Sequence, residues 1–395
     1  MLARSLRTFA ALVIGALIAS ACSSTDAEST TPSTVARAVA EANAGAGSVT
    51  VGIILNTASP TAERDQRLAE VMSAAAVALS TEELQVQVES ATIDEVADVR
   101  VAIDQLASRG VTVITTSCDD LSLPSIVDAA IEQQLLAVTG CVTIPSPTLS
   151  TNDPLFIDLA SMNDAAPAMA AWADQQGFSS LATLSSELIP DVDGTCTELE
   201  TEVASNAALS MSTRIPFVEL VNEPADVVAQ LTTSLATATD EAVEVDAIVL
   251  CALPPAAGDI AIALRDAGFV QPIIVPWFAE LQEWDEALDD VFVLAPSSVH
   301  GDDPSSELVE FYAELDEPEA LDAVAADAIA VIARASERAG SSGSSRLAEE
   351  IPNVETAAFS GPVLPGASSA VPIARSYRVL EVANGEATYL DSISD

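Results

Sequence analysis

From Val49 onward the chain alternates between two periodicities. Short β-branched and apolar runs, "VTVGIIL" (49–55), "LQVQVESA" (84–91), "VTVITT" (111–116) and "LLAVTG" (135–140), are separated by longer Ala-rich stretches whose apolar residues recur at helical spacing. Those stretches predict helices over 63–80, 96–109 and 123–134. Strands and helices in alternation predict a parallel sheet covered by helices, because parallel neighbours need a crossover and a helix supplies it.

The alternation pauses over "SPTLSTNDPLFIDLASMND" (146–164) and then starts again. Helices are predicted around 167–176, 196–206, 225–238 and 258–267. Strands are predicted at "SLATLSS", "MSTRIPFVEL", "DAIVLCA" and "PIIVPWF". "DDVFVLAPSS" (289–298) then leads to helices around 305–315 and 318–339 and a Gly/Ser break, "GSSGSS". A last β-rich stretch follows, with an Asn-Gly turn at Asn384 and Gly385. The predicted fold class is α/β: two Rossmann-like lobes, parallel sheets flanked by helices, joined by a hinge whose first crossover lies near Met162 to Asp164. Open α/β sheets bind ligands outside the carboxyl ends of their strands, so the cleft between such lobes is the expected site.

The N-terminus changes the picture. "MLARSLRTFAALVIGALIASAC" places Arg4 and Arg7 before an apolar run and small residues before Cys22. This is a secretory signal over 1–21 with the layout of a lipobox, so Cys22 is the expected lipidation site. The run from Phe9 to Ile18 is too short for a spanning helix of about 20 residues. Residues 22–48, rich in Ser, Thr, Ala and Gly, read as a flexible tether. The expected location is therefore extracytoplasmic, anchored to the cell membrane by the lipid.

Charge removes one class of partner. The chain has 60 acidic and 14 basic residues, every base an arginine. Loss of Arg4 and Arg7 with the signal leaves a net charge of −48. Nothing so acidic neutralises phosphates, so nucleic acid is excluded.

Candidate chemistry is sparse. His300, the only histidine, lies in "SVHGDD", and there is no Gly-x-Ser-x-Gly elbow for a hydrolytic triad and no phosphate-cradling glycine motif. The acidic pairs, Asp119 with Asp120 and Asp302 with Asp303, lack EF-hand spacing and read as solvated charge. Neither a metal nor a cofactor is expected, and no enzyme activity. Paired carboxylates of a secreted hydrolase remain the minor alternative.

Four cysteines remain in the body. Cys118, Cys141, Cys196 and Cys251 contain no Cys-x-x-Cys, and in an exported chain an even number is read first as disulfides. Cys118 and Cys141 follow consecutive strands of the first lobe, which should be neighbours about 4.8 Å apart. Cys196 and Cys251 both belong to the second. The predicted bridges are Cys118 to Cys141 and Cys196 to Cys251.

The order of "GVTVITTSC", "LLAVTGCVTIPSPTLS", "DAIVLCALPPAAGDIAIALRDAGFVQPIIVPWF", "DAVAADAIAVIARASERAGS" and "FSGPVLP" resembles the type I periplasmic binding proteins of the leucine/isoleucine/valine-binding kind, over nearly all of Val49 to Leu390. The resemblance implies a venus-flytrap receptor of an ABC importer, which closes on a small polar solute and presents it to a membrane permease. It implies an N-terminal lobe of 49–161 plus 297–358, a C-terminal lobe of 162–296 plus 359–395, and a monomer.

It also implies ligand contacts from Ser117, Cys118 and Asp119, from Cys141 and Thr143, from Asp164, and from Trp277 and Phe278. Two of these depart from the family. Asp119 stands where a small hydroxyl is expected, and Trp277 where the acid that meets a ligand ammonium is expected. If both face the cleft, the ligand is neutral or cationic rather than a simple α-amino acid. The alternatives are helix capping for Asp119 and lobe packing for Trp277. An envelope sensor receptor with the same fold is the second functional reading.

Overall fold

The computed structural model describes residues 47–59, 62–116, 122–139, 153–159, 164–188, 190–237, 244–276, 284–297, 315, 320–354, 356–364 and 374–394. The first sheet is built from β1 (Ser48–Asn56), β2 (Gln85–Ile93), β3 (Val113–Thr116), β4 (Leu136–Thr139) and β5 (Phe156–Asp158). Its order is β2-β1-β3-β4-β5, parallel throughout. The inner strands β1, β3 and β4 are near-continuously buried because both faces are covered, whereas the edge strand β2 alternates with exposed polar residues. On one face α2 (Val99–Ser108) and α3 (Leu123–Glu132) enclose Ile54, Ile93, Ile103, Leu106, Ile126 and Phe156. α1 (Ala62–Leu79) belongs to the larger core that covers the other face.

The second sheet takes β6 (Ser180–Ser186), β7 (Ser210–Phe217), β8 (Ala247–Cys251), β9 (Ile273–Pro276) and β10 (Val291–Ala295) as a parallel set in the order β7-β6-β8-β9-β10. Its intervening helices are α4 (Ala165–Gln175), which precedes β6, then α5 (Pro190–Ser205), α6 (Pro224–Thr237) and α7 (Ala256–Asp266). The chain then passes to α8 (Ala320–Ala339), which packs along α1, and to α9 (Ser344–Glu350). From Asp322 to Ala333 every residue of α8 is buried, the signature of a helix enclosed on all sides.

β11 (Thr356–Ala358), β12 (Gly361–Leu364), β13 (Ala374–Ala383) and β14 (Glu386–Ser394) finish the chain as antiparallel additions, with β13 against β10. Asn384 and Gly385 have φ of 54° and 84°. Positive φ at both central residues is what a two-residue type I′ hairpin requires, so the Asn-Gly turn is as predicted.

Several expectations need correction. The pause at 146–164 contains a strand, β5, whose three residues are too few for periodicity to register. α5 starts at Pro190, six residues before the predicted start, because Pro is favoured in the first turn of a helix and "DVDG" can be helical once Val192 is buried. The Gly/Ser break is shorter than expected, since Ser344 and Ser345 open α9. The helix predicted over 305–315 lies outside the described residues, apart from Leu315, which is in a bend.

Candidate functional site

The two sheets share one piece of topology. In the first, the chain runs from β1 outward to β2 and returns across β1 to β3. In the second it runs from β6 to β7 and returns across β6 to β8. Each reversal leaves a crevice outside the strand carboxyl ends, the standard ligand position in an open α/β sheet.

In the first lobe the crevice lies between β1 and β3, where Ile54 is in register with Thr116. Asn56 closes β1, and its Nδ2 donates to Ser122 Oγ at 3.0 Å, across the crevice to the residue before α3. Asn56 Oδ1 also accepts the Ala58 amide at 3.1 Å. One side chain thus ties the β1 exit to the far end of the segment that follows β3. One strand further, Thr139 Oγ1 at the end of β4 donates to Asp158 Oδ1 at the end of β5, 3.1 Å away and buried. Thr115, Thr116, Thr139 and Asp158 make this sheet edge polar although it is buried.

In the second lobe the crevice lies between β6 and β8, and it is closed covalently. Cys196 on α5 is bonded to Cys251 at the end of β8, with Cα atoms 6.1 Å apart and both residues fully buried. Next to it Ser185 Oγ donates to Asp193 Oδ1 at 2.6 Å. Asp193 also pairs with Arg214 of β7, whose Nη1 reaches Glu200 at 3.0 Å. Beyond this, the Leu253 amide donates to Glu219 Oε1 at 3.1 Å, joining the β8 exit to the β7 exit.

The predicted residues fall as follows. Cys196 and Cys251 form the predicted bridge. Asp164 stands immediately before α4, half-buried, without a side-chain cap to the helix. Ser117, Cys118, Asp119, Cys141, Thr143, Trp277, Phe278 and Cys22 lie outside the described residues, and with them the Cys118 to Cys141 bridge. Their anchors are described: Thr116 ends β3 directly before Ser117, Thr139 ends β4 two residues before Cys141, and Pro276 ends β9 directly before Trp277. β3 and β4 are neighbours, with Val113 in register with Leu136.

Asn56 and Ser122 were not singled out from the sequence. A polar residue closing an apolar strand and a Ser before Leu-Pro at a helix start were the available signals. Among the described residues no group of three or more His, Cys, Asp or Glu could hold a metal ion. No helix among them is long and apolar enough to cross a membrane.

Two sheets with the same reversal, joined by repeated crossovers, decide the architecture. The fold is that of the type I periplasmic binding proteins. No protein-family model and no curated protein sequence matches the chain. Among solved structures it is similar to a leucine-binding protein from Thermotoga maritima, at 19% identity and a TM-score of 0.64 over 87% of this chain and 98% of that one. It is similar to an ABC transporter substrate-binding protein from Desulfitobacterium hafniense in complex with Leu, at 13% identity and 0.65 over 87% and 100%. A solute-binding protein of an ABC transporter from R. palustris, in complex with 4-hydroxybenzoate, matches at 14% identity and 0.65 over 88% and 97%.

Proposed function

We infer that the chain is an extracytoplasmic solute-binding protein of an ABC importer, held to the membrane by a lipid on Cys22. It takes a small polar solute, an amino acid or a related nitrogen compound, into a cleft between the lobes and delivers it to a permease. The observation that carries this reading is the matched pair of switch points in a type I periplasmic-binding-protein fold. Each is a polar edge at strand carboxyl ends, with Asn56 and Thr116 in the first lobe and Ser185 and Asp193 in the second. The proposed lobe division is 49–161 plus 297–358 and 162–296 plus 359–395.

Ser117, Cys118, Asp119, Cys141, Thr143, Asp164, Trp277 and Phe278 are the proposed ligand contacts. Asp119 would repel a ligand carboxylate, and the Trp277 ring would stack on an apolar or cationic group. A neutral or cationic ligand fits that pair. The leucine and 4-hydroxybenzoate complexes of the structural neighbours mark the amino acid and aromatic acid classes to be tested beside it.

The test is the solute retained through purification, released by denaturation and identified by mass spectrometry. It is paired with thermal-shift screening against amino acids, amides, polyamines and aromatic acids. A retained solute that also raises Tm supports the reading. A protein that carries nothing and responds to none of these classes overturns it, and a strong shift with leucine alone overturns the assignment of Asp119 and Trp277. Mass spectrometry of the mature N-terminal peptide checks the acyl group on Cys22.

A further inference from the structure

Glu219 is carried by the turn that follows β7, and the backbone of that turn is tied to itself. The Val221 and Asn222 amides donate to the Val218 carbonyl at 2.9 and 2.8 Å, and Asn222 Oδ1 accepts the Val218 amide at 2.8 Å. From this turn the Glu219 side chain reaches the Leu253 amide, two residues past the end of β8. β7 and β8 are not neighbours: each pairs with β6, which lies between them. Two strands separated by a third stand about 10 Å apart, so the carboxylate lies over the end of β6.

The chain leaves β6 on the β7 side, because the Glu187 amide donates to the Phe217 carbonyl at 2.8 Å. The side of β6 that faces β8 is the crevice of the second lobe, and Glu219 stands at its mouth.

The carboxylate is half-buried and only half engaged. Oε1 accepts the Leu253 amide at 3.1 Å, and no bond to Oε2 is made among the described residues. Arg214, the arginine of β7, is committed to Asp193 and Glu200. An ionised carboxylate accepts and never donates, so what Oε2 lacks is a donor, and a charged donor makes the stronger bond. An anionic group brought to the same place meets repulsion that no neighbouring cation offsets. Because the turn is already ordered, binding needs no rearrangement of the acceptor.

We propose that Glu219 is the second-lobe residue that sets the charge of the ligand. Its Oε2 accepts a protonated nitrogen of the solute, an ammonium or a guanidinium, and bars an anionic group from the crevice between β6 and β8. The assignment rests on the solute-binding reading above and adds to it the residue and the sign of the charge.

The test is calorimetric titration of the mature protein, dialysed free of retained solute. The common L-amino acids and putrescine serve as probes with a cationic nitrogen, and 4-hydroxybenzoate as an anion without one. At least one cationic-nitrogen probe should bind the parent. Glu219→Gln keeps the shape of the side chain and an acceptor for the Leu253 amide. Its Tm without ligand should therefore equal that of the parent, while its Kd for that probe rises about 10- to 100-fold. Glu187→Gln removes the same charge from the exposed rim and should change the Kd by less than about 3-fold. Equal Kd values for the parent and Glu219→Gln, an equal loss in Glu187→Gln, or a parent that binds 4-hydroxybenzoate and no cationic-nitrogen probe overturns the assignment and leaves the solute-binding reading standing. A parent that binds neither class also overturns the assignment, and the absence of any solute carried through purification then removes the solute-binding reading with it.

Discussion

The two lobes solve the same problem by different chemistry. Each reverses its strand order beside a central strand and must hold the resulting crevice to a fixed width. Among the described residues the first spans it with a hydrogen bond from Asn56 to Ser122. The second spans it with the Cys196–Cys251 bond, backed by Ser185, Asp193 and Arg214. A hydrogen bond contributes about 1 kcal/mol net and can open and re-form, whereas a disulfide keeps its ends together at every stage of unfolding. Among the described residues the first crevice is thus tied non-covalently and the second covalently.

The comparison breaks most visibly at the disulfide. Cys196→Ser combined with Cys251→Ser opens a loop with a sequence separation of 55 residues. Loop-closure entropy puts the cost at about 4 kcal/mol. Urea unfolding followed by the fluorescence of Trp172, which is buried against Phe178 and Phe292 in the second lobe, should show the lowered midpoint. An unchanged midpoint would mean that the polar contacts hold the second crevice alone.

The next effect belongs to the first lobe. Gly52 of β1 has no room for a Cβ, which would stand 2.9 Å from both Leu106 Cδ1 and Val111 Cγ1 and 3.0 Å from Ile114 Cδ1. Gly52→Ala should therefore cost about 1–3 kcal/mol through overpacking. Thermal melting measures it, and a Tm equal to that of the parent would show that the α2 face can shift to accommodate a methyl group.

A smaller effect sharpens the contrast. Asn56→Ala removes the bond across the first crevice and the acceptor for the Ala58 amide, for about 1 kcal/mol. A double-mutant cycle with Ser122→Ala should show a coupling of at least about 0.5 kcal/mol. Additive losses would deny that the pair bridges the crevice.

The smallest concerns the foot of the second sheet. Asp246 Oδ2 accepts the Ser179 amide and hydroxyl at 2.8 Å each and the Ser180 amide at 3.1 Å, and the Ser179 bonds hold its carboxyl below the ordinary value of 3.8. Its contribution is present above that value and lost as pH falls through the lowered one. Because water reaches the group, the loss in Asp246→Ala should be no more than about 1 kcal/mol at pH 7. The gap between variant and parent should close on acidification below about pH 4; a gap that persists would assign the effect to packing.

What could be read in the sequence was whatever is local or repetitive. Strand and helix follow each other by periodicity, and the Asn-Gly hairpin by its demand for positive φ. The Cys196–Cys251 bridge follows from lobe membership, because both cysteines belong to the second α/β repeat and Cys118 and Cys141 to the first. β5 was invisible because Phe156–Asp158 earns its strand geometry only by pairing with β4, and three residues carry no period.

Tertiary structure alone decided which polar residues meet. Asn56 and Ser122 are 66 positions apart, and Arg375 and Leu159 are 216 apart. Asp327 reads in the sequence as one acid among sixty, set in an apolar helix. Only the packing of α8 against the β11–β12 turn and β13 gives it Ser360 and Arg375 as neighbours and takes away its water. Hydrophobic patterning specifies which face of an element is buried, but the partner of a buried charge depends on the sum of every crossover between them. That sum exists only in three dimensions.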